Sequence, residues 1–511
     1  MINIEDFNYM PKDIKKILYS YQIKGVKWMY NHIKNNKGCI LADDMGLGKT
    51  LQIIVLIICL LKNKTIKKDF NIMIIAPKTL IMNWKKEFKK FAPYLNVINY
   101  AENRYEIPNN SILLVPDSLI ITDYLTFKKK KYSLLVVDEA HSIKNIKGRK
   151  NKIINSLKAK NKIAVTGTPI MNNLSEYWSL FDFVNPGYFG EFKIFKKYIQ
   201  NPIEKYQDKE SLDILIKITQ PFILHRLKDD VLSLPKKIII DRFCKLLPKQ
   251  EKQYRKLFSP LGNLLKIKEN ENKQSLIPPR PKVQQAITVI TKAKQLCDHP
   301  KQFQYEDNSE KLFAESNKII ETLKIVKLHK DKGERGLIFT HIIEYHLLFK
   351  ALKEQNINVL FLHGKCTIKE REEIVTKFQD PSSKVDVVIV SLFVGGLGLN
   401  LPAANYIVMF NPWWNFALQD QAFNRAHRIG LEHNIYCYRL FTLNSWEHEF
   451  MTLIQYKNKL SDTFLNNIDF NAKILTRRQV KKILKLHIKK CSIRYEKSHT
   501  KEKFLSRNIS E

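Results

Sequence analysis

The stretch CILADDMGLGKTLQIIVLIICLLKNK (39–64) decides the fold. It begins with CILA (39–42), which has the composition of a buried strand, passes through a glycine-rich segment, and continues as a helical pattern from Thr50. Glycines let the backbone wrap closely around phosphate groups, and the amides at the start of the next helix face their negative charge. A strand, a glycine-rich loop and a helix in this order predict one unit of an α/β domain whose loop binds phosphate.

Similar short apolar runs recur along the rest of the chain. In the first third they are IMIIAP (72–77), ILLV (112–115), LLVVDE (134–139) and KIAVTG (162–167). In the second half they are GLIFTH (336–341), NVLFLHG (358–364), VDVVIVS (385–391), NYIVMFNP (405–412) and IYCYRLF (435–441). Nearly continuous apolar runs are typical of parallel strands that are buried on both faces. With helical patterns between them, such as HLLFKALKEQ (346–355), they predict two doubly wound α/β domains.

The stretches that lack this rhythm set the predicted domain bounds. We expect a first α/β lobe at 1–180, a mainly helical insertion and connector at 181–310, a second lobe at 311–470 and a basic tail at 471–511. Between the lobes strand-like runs are sparse and charged residues are dense. In the tail, LTRRQVKKILKLHIKKC (475–491) has apolar residues near helical spacing.

The balance of charge favours an anionic partner. Of the 511 residues, 44% are hydrophobic, which is far too many for a disordered chain. The 86 Lys and Arg residues outnumber the 50 Asp and Glu residues, and the formal net charge is +36. Such a charge resists compaction unless an anionic partner offsets it. Nucleic acid is the first candidate, an anionic membrane surface is the second, and a solvated lysine-rich surface is the plain alternative.

Cysteine usage and hydropathy predict a soluble intracellular protein. The seven cysteines are scattered and none belongs to a CxxC pair, which argues against a disulfide framework or a zinc finger and for a reducing compartment. The first residues contain no apolar signal core. The longest apolar run, Ile53 to Leu61, is well short of the ~20 residues that span a bilayer.

The glycine-rich loop is the first candidate site. It consists of Asp44, Met45, Gly46, Leu47, Gly48, Lys49 and Thr50. Lys49 would reach the β- and γ-phosphates of a nucleotide, and the Thr50 hydroxyl would bind Mg²⁺. A generic phosphate loop has a glycine five residues before its second glycine, where this chain has Asp43. On this motif alone, an ordinary glycine-rich turn is the alternative.

Acidic residues follow a later strand of the same domain. Asp138 and Glu139 begin the sequence DEAH at the end of the LLVV run. At the carboxyl edge of a parallel sheet one carboxylate can hold Mg²⁺ beside a phosphate loop, and a second can polarise the attacking water. We therefore assign Asp138 to the metal and Glu139 to the general base, against the alternative of a solvated helix cap. The sequence TGTP (166–169) ends a neighbouring strand and is a candidate coupling element.

Two arginines of the second α/β domain are further candidates. Arg425 and Arg428 lie three residues apart in QAFNRAHRIG (421–430), a spacing that would place them on one helix face. An arginine supplied by a second lobe can stabilise the charge on a γ-phosphoryl group during transfer. Taken alone, an ordinary basic helix surface explains such a pair better.

The order and spacing of these motifs resemble helicase superfamily two, and within it the Swi/Snf-type DNA-dependent ATPases. The resemblance extends from about Leu18 to Lys459. Its motifs are LYSYQIKGVKWM (18–29), LADDMGLGKT (41–50), APKTLIMNWKKEF (76–88), VVDEAHSIKN (136–145), TGTPIMNNLSEYWSLFDFVNP (166–186), LHRLKDDVLSLPKK (224–237), SLFVGGLGLNLPAANYIVMFNPWWN (391–415) and QAFNRAHRIG (421–430). Two positions depart from the family pattern, because Asn424 replaces an aspartate and Leu431 a glutamine.

The resemblance implies two RecA-like lobes with MgATP between them, so that ATP and Mg²⁺ are the expected cofactors. It makes Gln22 the reader of adenine and Asp43 a family trait. Arg425 and Arg428 would complete the site when the lobes close. The sequence Cys297-Asp298-His299-Pro300 resembles a structural stretch of the family and not a metal site.

The resemblance also implies a grip on the phosphates of duplex DNA with little sequence preference. The expected contacts are Lys78, Thr79, Asn83, Lys85, His341, Ser391, Gly395, Gly396 and Trp414. For Trp84, in the same motif as Lys85, packing in the core is the favoured interpretation. The expected protein is a monomeric motor of the nucleus or of a viral compartment, including a virion, and acts on transcription or chromatin proteins.

Three alternatives to a duplex translocase stay open at this point. One is a strand-separating helicase on DNA or RNA, which the long motif after TGTP disfavours. Another is a non-catalytic DNA-binding scaffold, which the complete set of catalytic side chains disfavours. The third is a transcription-termination ATPase of a large DNA virus, which the compact chain and its AT-rich codon character favour weakly.

Overall fold

The structure of the chain is a computed structural model that describes residues 10–66, 70–167, 174–232, 234–266, 288, 291–300, 312–340, 345–392, 401–411, 419, 422–427, 431, 433–445 and 447–448. These residues belong to two compact units, and the chain passes from one to the other after Leu232. Each unit is built around one parallel sheet.

The sheet of the first unit has seven described strands in the order β3-β4-β2-β5-β6-β1-β7, and its strand pairs are parallel. The strands are β1 (Cys39–Leu41), β2 (Asn71–Ala76), β3 (Val97–Asn99), β4 (Ser111–Pro116), β5 (Tyr132–Val137), β6 (Ala159–Val165) and β7 (Ile223–Leu224). The helices are α1 (Lys12–Ile17), α2 (Ser20–Lys34), α3 (Lys49–Lys62), α4 (Ile81–Phe91), α5 (Tyr124–Lys128), α6 (Arg149–Ser156), α7 (Leu174–Val184), α8 (Phe192–Phe195), α9 (Asn201–Tyr206), α10 (Lys209–Thr219) and α11 (Lys228–Val231). Short 3₁₀ turns lie at Ala140–Ile143 and Gln220–Phe222, and a π-helical turn at Lys196–Gln200.

Both faces of this sheet are covered, which explains the continuous apolar runs of its strands. Successive residues of a strand point to opposite faces. Ile72 and Ile74 of β2 belong to the core cluster that contains α2, α3 and α4. Met73 and Ile75 belong to the cluster that contains α6, α7 and α10. When both faces of a strand are buried, its sequence is apolar throughout and does not alternate between apolar and polar residues.

The sheet of the second unit has six described strands in the order β10-β11-β9-β12-β13-β8, again in parallel pairs. The strands are β8 (Lys237–Cys244), β9 (Gly336–Thr340), β10 (Val359–Leu362), β11 (Val387–Ser391), β12 (Tyr406–Met409) and β13 (Ile435–Thr442). The helices are α12 (Pro248–Lys266), α13 (described over 291–298), α14 (Asn317–Lys330), α15 (Tyr345–Glu354) and α16 (Ile368–Gln379), with a 3₁₀ turn at Leu312–Glu315.

The predicted fold class, α/β with two parallel-sheet lobes, is confirmed. Each of the ten strands expected from the apolar runs has a counterpart in the described sheets. The region 181–310, expected to be mainly helical, also supplies a strand to each sheet: β7 pairs with β1, and β8 pairs with β13. Both are edge strands, and β8 exposes Ile239 and Phe243. The predicted basic tail at 471–511 lies outside the described residues.

Over the described residues, no helix is long and apolar enough to cross a bilayer. The same part of the chain contains six cysteines, and none of the six forms a disulfide there.

Candidate nucleotide site

The phosphate loop joins β1 to α3 at the carboxyl edge of the first sheet. Gly46 and Gly48 have φ angles of +91° and +73°, a left-handed conformation that favours glycine. A Cβ atom on Gly48 would lie 2.4 Å from Nε2 of Gln22, so the loop is also closely packed from one side. Because the loop leads directly into the first turn of α3, its backbone amides form an anion site of the kind that phosphate groups occupy.

Lys49 points back across this loop. Its Nζ donates hydrogen bonds to the carbonyl oxygens of Asp43, at 2.6 Å, and Asp44, at 3.1 Å. Burial lowers the pKa of Lys49, while the surrounding carboxylates favour its charged form. In decreasing order of influence, these carboxylates are Glu139, Asp43, Asp138 and Asp44. The phosphate-loop lysine and both acidic residues of the DEAH sequence therefore belong to one electrostatic cluster.

Gln22, the expected adenine reader, contacts the phosphate loop. Its Nε2 donates to the carbonyl oxygen of Leu47 at 3.2 Å, and its Oε1 accepts from the Tyr19 amide at 3.1 Å. The Tyr21 hydroxyl donates to the same Leu47 carbonyl at 3.3 Å. The side chain of Gln22 is thus buried and held against the loop. Its role in reading adenine stays a prediction.

Asp138 directly follows β5 and is almost fully buried. Its Oδ1 accepts the backbone amide of Glu139 at 2.9 Å, and its Oδ2 accepts the indole N–H of Trp84 at 2.9 Å. Burial, and then repulsion by the Glu139 carboxylate, raises the pKa of Asp138 to about 6. The two hydrogen-bond donors and the Lys49 ammonium oppose this increase.

Glu139 has an unusual backbone conformation. Its φ angle is +46°, in the left-handed region that a glutamate rarely adopts. Such conformations cost of order 1–3 kcal/mol and cluster at functional sites. The side chain is 14% exposed, and its Oε2 lies 3.2 Å from Nδ1 of His141. The general base proposed from the sequence is therefore held in a strained turn at the sheet edge.

The sequence TGTP approaches the same loop. The Thr166 amide donates to the Leu41 carbonyl at 3.0 Å, so the ladder between β6 and β1 continues to this point. A Cβ atom on Gly167 would lie 3.3 Å from Cγ of Met45 and 3.9 Å from Nζ of Lys49. The rest of the motif, residues 168–169, lies outside the described part of the chain.

Thr50 and Asp138 fit a Mg²⁺ ion that is also bound by the phosphates of a nucleotide. Thr50 is partly buried in the first turn of α3, and Asp138 offers carboxylate oxygens. Among the described residues, no group of three His, Cys, Asp or Glu side chains could hold a metal ion. Mg²⁺ typically takes one or two protein oxygens together with substrate phosphates and waters.

A buried ion pair behind the loop was not predicted from the sequence. Asp43 is fully buried, and the Arg226 guanidinium binds both oxygens of its carboxylate, with Nε at 2.8 Å from Oδ1. Arg226 also donates to Gln52 Oε1 at 2.9 Å and to the Tyr21 carbonyl. A Cβ atom on Gly25 would lie 2.2 Å from Gln52 Oε1, so this network leaves room only for glycine there. The one sequence signal was Asp43 itself, an acidic residue where a generic loop has glycine.

The connector that carries Arg226 is joined to the phosphate loop by a ladder of backbone bonds. The Ala42 amide donates to the Leu224 carbonyl at 2.7 Å, and the Asp44 amide to the Arg226 carbonyl at 3.0 Å. The Lys228 amide then donates to Oδ2 of Asp44 at 3.0 Å. The chain therefore follows the phosphate loop closely just before it leaves the first unit.

The arginines expected to complete the site belong to the second unit. Arg425 is 2% exposed and lies in a turn at 424–426 that directly follows the helical residues 422–423. Its carbonyl accepts from the Leu401 amide at 3.0 Å. Backbone bonds to Ala422 and Leu401 stabilise this turn, which periodicity alone does not predict. Arg428 lies outside the described residues.

The expected DNA contacts of the first unit surround α4. Lys78 and Asn83 are exposed, and Thr79 is partly buried. Lys85 forms a surface ion pair with Glu102 at 2.8 Å. Trp84 is 1% exposed, as the core-packing interpretation expected.

In the second unit, Ser391 is fully buried at the end of β11, and its role as a DNA contact stays a prediction. The other expected contacts, His341, Gly395, Gly396 and Trp414, are not among the described residues.

A second buried charge cluster lies in the core of the second unit. Nζ of Lys318 donates to Oδ1 of Asp298 at 2.9 Å and to Oε1 of Glu447 at 2.7 Å, and all three side chains are buried. The side chain of Asn411 donates to the other oxygen of Asp298. Asp298 thus links α13, α14 and the end of β12, which agrees with a structural role for the sequence Cys297-Asp298-His299-Pro300.

The fold and the site define a class of two-unit, parallel-sheet proteins with a phosphate loop and a DEAH sequence. The family model of the SNF2-related domain matches residues 21–302, and that of the helicase conserved C-terminal domain matches residues 316–430. The first model alone covers more than half of the chain, and the chain belongs to this SNF2-related family. The resemblance to this family that was drawn from the motifs is thereby confirmed.

Named relatives agree with this membership. The chain is 35% identical over 462 residues to an uncharacterized ATP-dependent helicase of Mycoplasma genitalium. The aligned region covers 89% of this chain and 43% of the relative. It is 32% identical over 489 residues to the putative ATP-dependent helicase/translocase YwqA of Bacillus subtilis. Here the aligned region covers 93% of this chain and 51% of the relative. The chain spans about half the length of the curated relatives it matches.

A solved structure is also similar. It is the SWI2/SNF2 ATPase core of Sulfolobus solfataricus in complex with dsDNA, with 31% identity, 91% of this chain and 96% of that chain covered, and a TM-score of 0.44. Neither of the two bacterial relatives supports the viral alternative.

Proposed function

We propose that this protein is a DNA-stimulated ATP hydrolase that moves along duplex DNA and thereby displaces or remodels bound proteins. The observation that carries this proposal is the convergence of Lys49, Asp138 and Glu139 at one edge of one sheet, where the two carboxylates act electrostatically on the lysine. A lysine, a metal-binding carboxylate and a base are the parts that phosphoryl transfer to water requires.

Each of these groups has a distinct part in ATP hydrolysis. The amides of the loop and the Lys49 ammonium would bind the phosphates, and Thr50 and Asp138 would hold Mg²⁺. The bound Mg²⁺ would neutralise charge that develops on the phosphate oxygens. Glu139, next to Asp138 and within the field of Lys49, would orient a water molecule and take its proton. Arg425 and Arg428 are proposed to add positive charge when the two units close.

The DNA part of the proposal rests on charge and exposure. The net charge is +36, Lys78 is exposed just before α4, and Asn83 is exposed in its first turn. Contacts to phosphates give affinity without a base code, so binding should weaken with salt and depend little on sequence. The relative YwqA is named a helicase/translocase, which supports movement along DNA. Transcription or chromatin proteins remain the proposed targets.

Displacement of a third DNA strand tests movement along a duplex. With ATP, the full chain should release a triplex-forming strand from a duplex, and Lys49→Ala should not. On a forked duplex of the same length it should separate few strands. Efficient separation of the fork without release of the third strand would support the strand-separating helicase instead, and unwinding of an RNA fork alone would move the protein to the RNA helicases.

A further inference from the structure

Trp84 makes a buried contact with a group of the catalytic cluster. It lies on α4, is 1% exposed, and packs beside Phe88 with ring centroids 6.1 Å apart. Its indole N–H donates to Oδ2 of Asp138 at 2.9 Å. A buried indole needs an acceptor and a buried carboxylate needs donors, so each group satisfies the other.

This bond fixes the orientation of the Asp138 carboxylate. The second oxygen, Oδ1, accepts the Glu139 amide at 2.9 Å, so donors hold the carboxylate on both sides. The backbone adds a further constraint, because the Asp138 amide donates to the Ile75 carbonyl of β2 at 2.8 Å. Of these three contacts, the indole bond is the one in which a side chain is the donor. That side chain lies on helix α4.

The same helix presents the exposed residues expected to contact DNA. Asn83 and Lys85 are the sequence neighbours of Trp84, and Asn83 is exposed while Lys85 reaches Glu102 at the surface. Helix α4 begins at Ile81, a few residues after the end of β2. A small shift of α4 on binding a phosphate backbone would therefore move the indole against Asp138.

We propose that Trp84 is a positioning residue, whose indole N–H sets the Asp138 carboxylate for Mg²⁺ and connects it through α4 to the DNA contact at Asn83 and Lys85. This inference rests on the proposed function for the DNA contact and for the Mg²⁺ role of Asp138. It adds a residue that acts through Asp138 and does not itself touch the nucleotide.

The test compares Trp84→Phe with Trp178→Phe in the full chain. Both changes remove an indole N–H and keep an aromatic ring. The Trp178 indole nitrogen is buried, has no hydrogen-bond partner among the described residues, and packs on Phe192, so that variant loses no described bond of this kind. Binding of a fluorescent ADP analogue is measured without DNA, first in EDTA and then across a Mg²⁺ titration.

We expect Trp84→Phe to raise the Mg²⁺ concentration for half-maximal binding about tenfold, because partners of metal-ligating carboxylates typically affect metal affinity 10–100-fold. Binding in EDTA should stay unchanged, and Trp178→Phe should match the wild type throughout. At saturating Mg²⁺, Trp84→Phe should also lower the ratio of DNA-stimulated to basal ATP hydrolysis by about threefold or more, since α4 no longer acts on Asp138.

A wild-type Mg²⁺ dependence in folded Trp84→Phe overturns the positioning role, and an unchanged stimulation ratio overturns the connection through α4. If Trp84→Phe does not fold, benzothienylalanine at position 84 replaces the N–H by sulfur at the same ring size, and the same shift is expected. The Mg²⁺ titration is done without DNA. If DNA does not stimulate the wild type, that result therefore counts against the proposed function and not against the role of Trp84 in positioning Asp138.

Discussion

Replacing Arg226 by methionine should strongly destabilise the first unit, because it leaves the Asp43 carboxylate buried without its partner. Methionine keeps most of the aliphatic volume and removes the guanidinium. The lost bonds are the two to Asp43, including Nε to Oδ1 at 2.8 Å, the bond to Gln52 Oε1 at 2.9 Å and the bond to the Tyr21 carbonyl. Asp43 is 0% exposed, so water cannot replace them.

Removal of one partner of a buried ion pair costs about 3–5 kcal/mol, which is the loss we expect in the free energy of unfolding. The double variant Asp43→Asn with Arg226→Met removes both charges. It should therefore lose less than the two single variants together, by at least about 1 kcal/mol. The exposed Arg149, changed to methionine, is the matched control and should stay within about 0.5 kcal/mol of the wild type.

The assay must report on the first unit alone. Hydrogen exchange in urea, followed on peptides that cover β1 and α3 of the full chain, gives the free energy of opening around the phosphate loop. An Arg226→Met loss no larger than that of Arg149→Met, or strict additivity in the double variant, would refute the reasoning that Arg226 neutralises Asp43.

Three further predictions test other parts of the structure. Gly25→Ala should destabilise the first unit by about 1–3 kcal/mol, because its methyl group would lie 2.7 Å from Nη2 of Arg226; an unchanged urea midpoint would contradict this. Burial raises the pKa of Asp298 from 3.8 to about 6, so its contribution to stability is complete below pH 3.8 and is lost as the pH rises through 6. The second unit should therefore lose stability as the pH rises over this window, and Asp298→Asn should flatten the pH dependence of its unfolding. Glu139→Gln should lower ATP hydrolysis by about 10²–10⁴-fold while fluorescent ADP still binds, and parallel loss of binding would argue against a general base.

The sequence was sufficient where structure depends on local pattern. Strands β2, β4 and β5 were predicted within two residues because burial on both faces gives continuous apolar runs. The phosphate loop was predicted because Gly46 and Gly48 are needed at positive φ directly before a helix.

The parts that were missed depend on contacts between distant residues. Strand β7 has only two residues, and its strand character comes from pairing with β1. Arg226 and Asp43 are 183 residues apart, and Trp84 and Asp138 are 54 apart, so no periodicity links them. For Trp84 the sequence correctly favoured the core, but the acceptor of its N–H is visible only in the fold.

The turn at Arg425 shows a different limit. A spacing of three residues predicts a shared face only where the chain is helical. Arg425 lies in a turn after the helical residues 422–423, and Arg428 is outside the described residues, so the shared face stays a prediction.

The central claim, a duplex-DNA-stimulated ATP hydrolase, is tested most directly by the rate of ATP hydrolysis of the full chain at a fixed salt concentration. The rate is measured without nucleic acid and with duplex DNA, single-stranded DNA or RNA, with Lys49→Ala as the blank. We predict strong stimulation by duplex DNA that fades as salt is added. Stimulation by RNA alone, or a rate that no nucleic acid raises above that of Lys49→Ala, would contradict the account.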